Sequence, residues 1–216
     1  NSPAYVKAIS DGLVDPRILR EIGFPWSEAM AERARRSVGA TISACRAAFR
    51  EGVSANIAGG THHAQSDRGG GFCVFNDAAV TTRSLQNAGT VKRVAIIDCD
   101  VHQGDGTARI MAGRDDIITL SIHAERNFPV RKARSHVDIG LPDMSGFTLP
   151  DGQNASLAPV CSEFLRNLPL DRLEERYRAM VEQAVVDLND RIAPATGASH
   201  LIMDHRTRSG VIGLTR

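Results

Sequence analysis

The chain has 216 residues, of which 42% are apolar and 24% charged, enough for one α/β domain with a packed core but too little for two ordinary domains. Lysine and arginine number 26 and aspartate and glutamate 25, so the net charge of +1 gives no reason to expect a nucleic acid or a membrane surface as partner. No apolar run approaches the ~20 residues of a transmembrane helix. The four cysteines form no CxxC pair, which indicates free thiols and a cytoplasmic location.

The first half of the chain predicts two helices with a short strand between them. Apolar residues recur every three or four positions over 27–51, with Ser27 as N-cap and Gly52 as the C-terminal stop. We predict a strand over Val53–Ala58 and a second helix over 76–88.

Two apolar segments then predict central strands of a parallel sheet. Val94–Ile97 and Ile117–Ile122 are short and nearly continuous in apolar character, which is typical of strands covered on both faces. The proline-containing stretch 124–170 is predicted to be irregular, whereas 171–192 predicts an amphipathic helix and 201–203 a last strand. Alternating strands and helices predict an α/β fold.

The segment that follows the first of these strands carries the strongest chemical signal. Alternation in an extended chain places Asp98, Asp100 and His102 on one face, at the carboxyl end of the strand. Two carboxylates and an imidazole converging there suit a divalent metal such as zinc. The alternative interpretation is a solvated loop with acidic residues near a helix start.

A tandem histidine forms the second signal. His62 and His63 follow Gly59-Gly60, and glycines allow a backbone to approach a site closely. A histidine needs a partner to fix its tautomer, and Asp98 and Asp105 are available acceptors. The alternative is a histidine pair on a surface loop.

Two further segments have weaker signals. A glycine run precedes Phe72 and an Asn-Asp helix start, so Phe72 either forms a wall beside a pocket or packs in the core next to a hinge. Ser121, at a strand end, is either a hydroxyl ligand for a monovalent ion or only a strand terminus.

Taken together and in order, GGTHHA, GFCVFND, DCDVHQGDG and SIH…FP resemble the zinc-dependent histone deacetylase family. The match runs from about Ala4 to Leu149. The sequence of residues 22–27 and the glutamine at position 103 resemble the bacterial, class-IV-like branch. The resemblance implies an arginase/deacetylase fold, which is a three-layer α/β sandwich with a mainly parallel sheet. It also implies hydrolysis of an acyl-amide, with acetyl-lysine or a related acetylated amine as substrate.

The resemblance also implies roles for individual residues. Asp100 and His102 would bind Zn²⁺, and His63, beside His62, would act as general base and then general acid. Asp98 would orient His62, and Asp105 would orient His63. Gly71, Phe72 and Phe128 would line a narrow channel for the acyl-lysine arm. A structural K⁺ would be held by the Ser121 hydroxyl and the backbone oxygens around Asp98, Asp100, His102 and Ile122.

The second half of the chain departs from the family. The third zinc ligand should be an aspartate on a later strand, for which Asp204 is the candidate. The family also places an oxyanion-stabilising tyrosine after a Gly-rich loop, and this chain contains only Tyr5 and Tyr177. Residues 153–216 match poorly. We therefore expect one deacetylase-like domain over 1–216, truncated or frameshifted, incomplete at its C-terminus and a weak or inactive deacylase.

Two other functions stay open. Manganese ureohydrolases share the fold, but their Asp-x-His-x-Asp strand requires an acid at the position of Gly104, and Asp105 falls one residue late. An acyl-lysine binding module without turnover is favoured by the missing tyrosine and opposed by the intact histidines and aspartates. The sequence does not distinguish an acetylated protein lysine from an acetylated polyamine, nor does it indicate an oligomeric state.

Overall fold

The computed structural model describes residues 1–51 and 54–141, together with the backbone of 211–214. Five helices lie in this part of the chain: α1 (Pro3–Asp11), α2 (Pro16–Ile22), α3 (Glu28–Glu51), α4 (Asp77–Asn87) and α5 (Asp105–Met111). The strands are β1 (Val94–Asp98), β2 (Ile117–Ala124), β3 (Val137–Leu141) and β4 (Val211–Leu214). None of the helices described here is long and apolar enough to cross a membrane.

The four strands form one sheet in the order β3-β2-β1-β4. β1, β2 and β3 are parallel to one another, and β4 runs antiparallel to β1. Asp98, the last residue of β1, pairs with Ser121 of β2. The mainly parallel sheet therefore brings the carboxyl end of β1 to the edge where such sheets bind ligands.

A buried apolar cluster joins α3, α4 and α5 to one face of β1 and β2. Its members come from all five elements and the segment before β1: Cys45, Ala79, Leu85, Val91, Val94, Ile96, Met111 and Ile117. Ala95 and Ile97 alternate with the β1 members of this cluster and are buried as well. Both faces of β1 are thus covered, as its continuous apolar character predicts.

The two N-terminal helices are absent from the sequence prediction, although each has ordinary boundary signals. Ser2 caps α1 and Asp15 caps α2, and each helix begins with a proline. Gly12 and Gly23 end them in the left-handed conformation, at φ 74° and 84°. Both helices pack with α3 in a second apolar cluster.

The predicted helices over 27–51 and 76–88 and the two central strands are confirmed as α3, α4, β1 and β2. The predicted helix over 171–192 and strand over 201–203 lie outside the described residues. β3 falls in the stretch predicted to be irregular, which is therefore wrong at 137–141.

The predicted strand over Val53–Ala58 is also wrong, because 54–56 have no regular structure and 57–58 form a turn. The side-chain amide of Asn56 donates to the carbonyl of Ser37 and to the Thr41 hydroxyl, both on α3. Its side-chain oxygen accepts from the backbone N–H of Ala58. These local bonds replace a strand ladder.

Candidate active site

The tandem histidines and their two carboxylate partners form a buried cluster at the carboxyl end of β1. Nδ1 of His62 lies 2.6 Å from Oδ2 of Asp98, and Nδ1 of His63 lies 2.8 Å from Oδ1 of Asp105. The two ring centroids are 4.1 Å apart. The structure therefore contains both expected contacts, and each leaves the Nε2 atom of its imidazole outside the pair.

Asn76, the N-cap of α4, anchors the backbone on either side of His63. Its side-chain amide donates to the carbonyls of His62 and Ala64, at 3.3 and 3.0 Å, and to the Thr107 hydroxyl. Its side-chain oxygen caps α4 by accepting from Ala79. One buried amide thus ties the histidine loop to the starts of α4 and α5.

Asp77 holds the residues that precede the histidines. Its carboxylate accepts from the backbone N–H groups of Gly60 and Thr61, at 3.0 and 2.9 Å. It also accepts from the hydroxyls of Thr61 and Thr41. The carboxylate is buried, so these four donors supply the hydrogen bonds that burial would otherwise remove. The sequence marks 76–77 as a helix start and does not predict that the Asp77 carboxylate also binds the residues before the histidines.

Asp100 and His102 lie just beyond β1 and approach each other. Oδ1 of Asp100 is 3.2 Å from Nδ1 of His102 and accepts from the His102 backbone N–H at 2.8 Å. A tetrahedral zinc ion with bonds of about 2.0–2.2 Å separates its ligand atoms by roughly 3.3–3.5 Å. The two side chains therefore fit two corners of a zinc site. Among the described residues no group of three His, Cys, Asp or Glu side chains is placed to hold a metal, and Asp204 lies outside them.

The three central ionisable groups differ sharply in charge. Burial alone would lower the pKa of His62, but the charge and hydrogen bond of Asp98 raise it to about 9. Burial lowers the pKa of His63, and the charge of His62 adds to this effect despite the bond to Asp105. Burial would raise the pKa of Asp100, yet its hydrogen bonds with His102 bring it to about 2. At pH 7 His62 is charged, His63 is neutral and Asp100 is ionised.

The two aromatic residues of the predicted channel contact different rings. The Phe128 ring meets His63 edge-on, at 4.8 Å between centroids, and lies 5.9 Å from His102. Phe72 packs on Phe24 at 5.2 Å, and both Phe72 and Phe128 are nearly half exposed. Between them, a side chain at Gly71 would meet both His63 and Phe128. We call the surface formed by Gly71 and the half-exposed rings of Phe72 and Phe128, beside His63, the opening.

The Ser121 hydroxyl lies 3.0 Å from Nδ1 of His123, next to the paired strand end at Asp98. The structure thus brings the side chain of Ser121 and the backbone of Asp98 to neighbouring positions. The predicted K⁺ site, which relies on these and on nearby backbone oxygens, stays a prediction.

Gln103 is a structural residue of the site whose role the sequence does not indicate. Its buried amide donates to the Ala133 carbonyl at 2.9 Å and to Asp138 at 2.8 Å. Its side-chain oxygen accepts from the Ala133 backbone N–H at 2.7 Å. Gln103 therefore fixes the end of the loop that carries Phe128 to the start of α5.

Two features bear on the alternatives. Tyr5 is buried, and its hydroxyl donates to the Val74 carbonyl, so it is engaged in the core rather than at the histidines. A Cβ atom at Gly104 would collide with the Asp98 carboxylate. The ureohydrolase pattern, which needs an acidic side chain at position 104, is therefore incompatible with this site.

The mainly parallel sheet carries paired His–Asp contacts beside a convergent Asp-His pair at the carboxyl edge of its parallel strands, a grouping of acid–base side chains that is typical of enzyme active sites. The family model described as the histone deacetylase domain matches residues 2–196, and the chain belongs to that family. Two solved structures of histone deacetylase homologues share the fold. One, from Aquifex aeolicus, has a TM-score of 0.55 and 28% identity over 66% of this chain and 44% of its own. The other, complexed with SAHA, has a TM-score of 0.58 and 25% identity over 87% and 49%. The predicted arginase/deacetylase fold is thus confirmed.

Curated relatives include bacterial proteins, in agreement with the predicted bacterial character of the match. An uncharacterized protein of Picosynechococcus is 46% identical over 66% of this chain and 48% of its own length. Acetylpolyamine amidohydrolase 1 of Pseudomonas aeruginosa is 45% identical over 30% of this chain and 18% of its own. The histone deacetylase-like amidohydrolase of the same organism is 39% identical over 41% and 23%. The chain spans about half the length of the first of these relatives, or less of the others.

Proposed function

We propose that this site hydrolyses an acyl-amide with the help of zinc, removing acetyl from acetyl-lysine or a related acetylated amine. The observation that carries the proposal is the unequal histidine pair. Two adjacent imidazoles are each bound at Nδ1 by a separate buried carboxylate, and Asp98 raises the pKa of His62 whereas burial lowers the pKa of His63. Groups whose environments push their pKa values apart are typical of paired acid–base sites.

Zinc, when bound, would polarise the amide carbonyl and lower the pKa of water towards ~7. Asp100 and His102 would hold it, with Asp204 proposed as the third ligand. The ionised Asp100 and the 3.2 Å separation of the two ligand atoms support this assignment. We also propose a structural K⁺ at Ser121 and the backbone oxygens around Asp98, Asp100, His102 and Ile122.

His63 would move the proton. Its Nδ1–H donates to Asp105, so Nε2 carries a lone pair that accepts a proton from the attacking water. The same Nε2–H then donates to the leaving amine nitrogen, which completes the cycle. His62 keeps its proton through Asp98 and contributes a positive charge beside the developing oxyanion.

Gly71, Phe72 and Phe128 would admit the substrate arm. A Cβ atom at Gly71 would lie 2.6 Å from the His63 ring and 3.1 Å from the Phe128 ring, so glycine at this position keeps both rings clear for a substrate arm. The three cysteines in the described part of the chain are buried, and no disulfide joins them there, which is consistent with the cytoplasmic location that we propose.

An acyl-lysine binding module is the second candidate. It is favoured because one of the two tyrosines of the chain, Tyr5, is committed to the core. Loss of an oxyanion-hole donor typically costs ~10²–10³-fold in turnover but leaves the binding residues in place. Both candidates predict binding of acyl-lysine, but only the first predicts its hydrolysis.

The deciding experiment compares the zinc-loaded chain with His63→Gln on a fluorogenic acetyl-lysine peptide. The glutamine side chain can still donate to Asp105 but cannot take a proton. We expect slow turnover by the parent chain and its loss in the variant, with zinc content and peptide binding by fluorescence polarisation unchanged. Binding without turnover in both proteins would instead establish the binding module. Equal turnover in both would remove His63 from the mechanism.

A further inference from the structure

The segment 125–134, which we call the rim loop, borders the opening above the histidines. Phe128 lies at its centre and contacts the rings of His63 and His102 while remaining 44% exposed. Residues that flank Phe128 therefore lie where the part of a substrate beyond the acyl-lysine arm would contact the protein. The charge of these residues would then affect which substrates bind.

The rim loop is held in place by hydrogen bonds along its length. Near its start, the backbone N–H of Asn127 donates to Ala124. In its middle, the Lys132 ammonium donates to the carbonyls of Asn127 and Pro129, and Arg109 of α5 donates to the carbonyl of Arg131. At its end, Gln103 binds Ala133 in both directions. The charged side chains of the loop therefore project from a fixed backbone.

The rim loop is strongly basic. It contains four cations and one carboxylate, Glu125, in a chain whose net charge is only +1. Arg126, Arg131 and Arg134 are exposed, and none lies within 4 Å of a carboxylate in the part of the chain that the structure describes. Within the described residues, therefore, no ion pair offsets their charges.

The opposite side of the opening carries a further cation. Phe72 packs on Phe24, and the guanidinium of Arg33 lies over the Phe24 ring at 5.1 Å. Arg33 thus lies on the Phe24–Phe72 side of the site, and the three exposed arginines belong to the loop that carries Phe128. A cationic substrate would meet the net positive charge of the rim loop, which slows encounter.

We infer that the protein acts on acyl-lysine flanked by acidic side chains, and that it discriminates against acetylated polyamines and lysine-rich segments. This inference rests on the proposed function, because it concerns the substrate of that same site. Exposed charge pairs each contribute a factor of a few at most, so we expect a combined preference of about tenfold in kcat/KM at low salt. Ionic strength near 1 M, where charges are screened beyond ~3 Å, should abolish it.

The test uses three fluorogenic acetyl-lysine peptides that differ only in their flanks, which are aspartate, serine or lysine. The parent chain is compared with a rim variant in which Arg126, Arg131 and Arg134 are changed to glutamine. The control carries the same loss of three charges at Arg83, Lys92 and Arg93. Lys92 and Arg93 precede β1, at the edge of the sheet opposite the site, and Arg83 is exposed on α4.

We expect the parent and the control to prefer the aspartate peptide about tenfold, and the rim variant to lose most of that preference. Equal kcat/KM for the three peptides, a preference for lysine flanks, or an equal effect of the control variant would overturn the inference. Peptide binding to His63→Gln provides a readout that needs no turnover. If no protein hydrolyses any peptide, the proposed function fails, and the ranking of the three binding affinities still decides the charge preference.

Discussion

Gly106, the second residue of α5, packs against the backbone of the tandem histidines. A Cβ atom at this position would lie 2.5 Å from the His63 carbonyl carbon and 2.6 Å from the His62 carbonyl oxygen, and it would also strike the Ala64 carbonyl. All three atoms belong to the backbone, so rotation of a side chain cannot relieve the clash. We predict that Gly106→Ala displaces the histidine loop.

The magnitude follows from two opposing effects. Alanine in place of helical glycine gains about 1 kcal/mol of helix propensity, and overpacking costs about 1–3 kcal/mol, so the net loss of stability is at most about 2 kcal/mol. Normal separations of about 3.5 Å require the loop to move by about 1 Å. A displacement of that size near reacting groups costs about 10²-fold in turnover. Activity should therefore fall far more than stability.

The assay pairs urea unfolding with turnover of the acetyl-lysine peptide, and adds proton NMR of the two Nδ1–H groups bound to Asp98 and Asp105. Gly39→Ala is the matched control, because a Cβ atom there meets nothing within 4 Å in the middle of α3. It should gain about 1 kcal/mol and leave turnover unchanged. Turnover of Gly106→Ala within threefold of the parent, with unshifted NMR signals, would refute this argument.

Four other outcomes are expected. Asp77→Asn would place an amide donor against backbone N–H groups. The free energy of unfolding, measured by urea titration, should fall by about 2–3 kcal/mol, and kcat, measured with the peptide, should fall as well. Because burial lowers the pKa of His63 from 6.5, its neutral form persists at pH 7, and kcat/KM should decline only as pH falls below 6.5; a decline starting at higher pH would contradict this assignment. His102→Ala should reduce bound zinc measured by elemental analysis of the dialysed protein. Leu85→Ala empties a fully buried site and should cost about 2–5 kcal/mol in urea unfolding, whereas Leu13→Ala, 77% exposed, should cost under about 0.5 kcal/mol.

The sequence predicts the centre of this fold well because its signals there are local. A continuous apolar run identifies β1, and alternation beyond it places Asp98 and Asp100 at one edge. The pairing of His62 with Asp98 and of His63 with Asp105 is implied by the family resemblance, and the structure contains both contacts.

The predictions fail where hydrogen bonds to residues distant in sequence override the local conformational preference. The apolar letters near Ile57 favour a strand, but Asn56 binds α3 and draws the segment into a turn. Gln103 forms hydrogen bonds with a residue 30 positions further along the chain, and no local sequence pattern predicts a contact over that separation. Asp77 is identified as a helix start, and its bonds to the histidine loop become visible only in three dimensions.

Phe72 combines an unusual backbone with an exposed ring. It is the one non-glycine residue with positive φ in the described part of the chain, at 64°, and its backbone N–H donates to the last carbonyl of α2. A bulky residue in that conformation costs on the order of 1–3 kcal/mol, which glycine would recover. Phe72→Gly and Phe72→Ala both lose the contact of the ring with Phe24. The amount by which the glycine variant is more stable than the alanine variant therefore measures the strain at this backbone position.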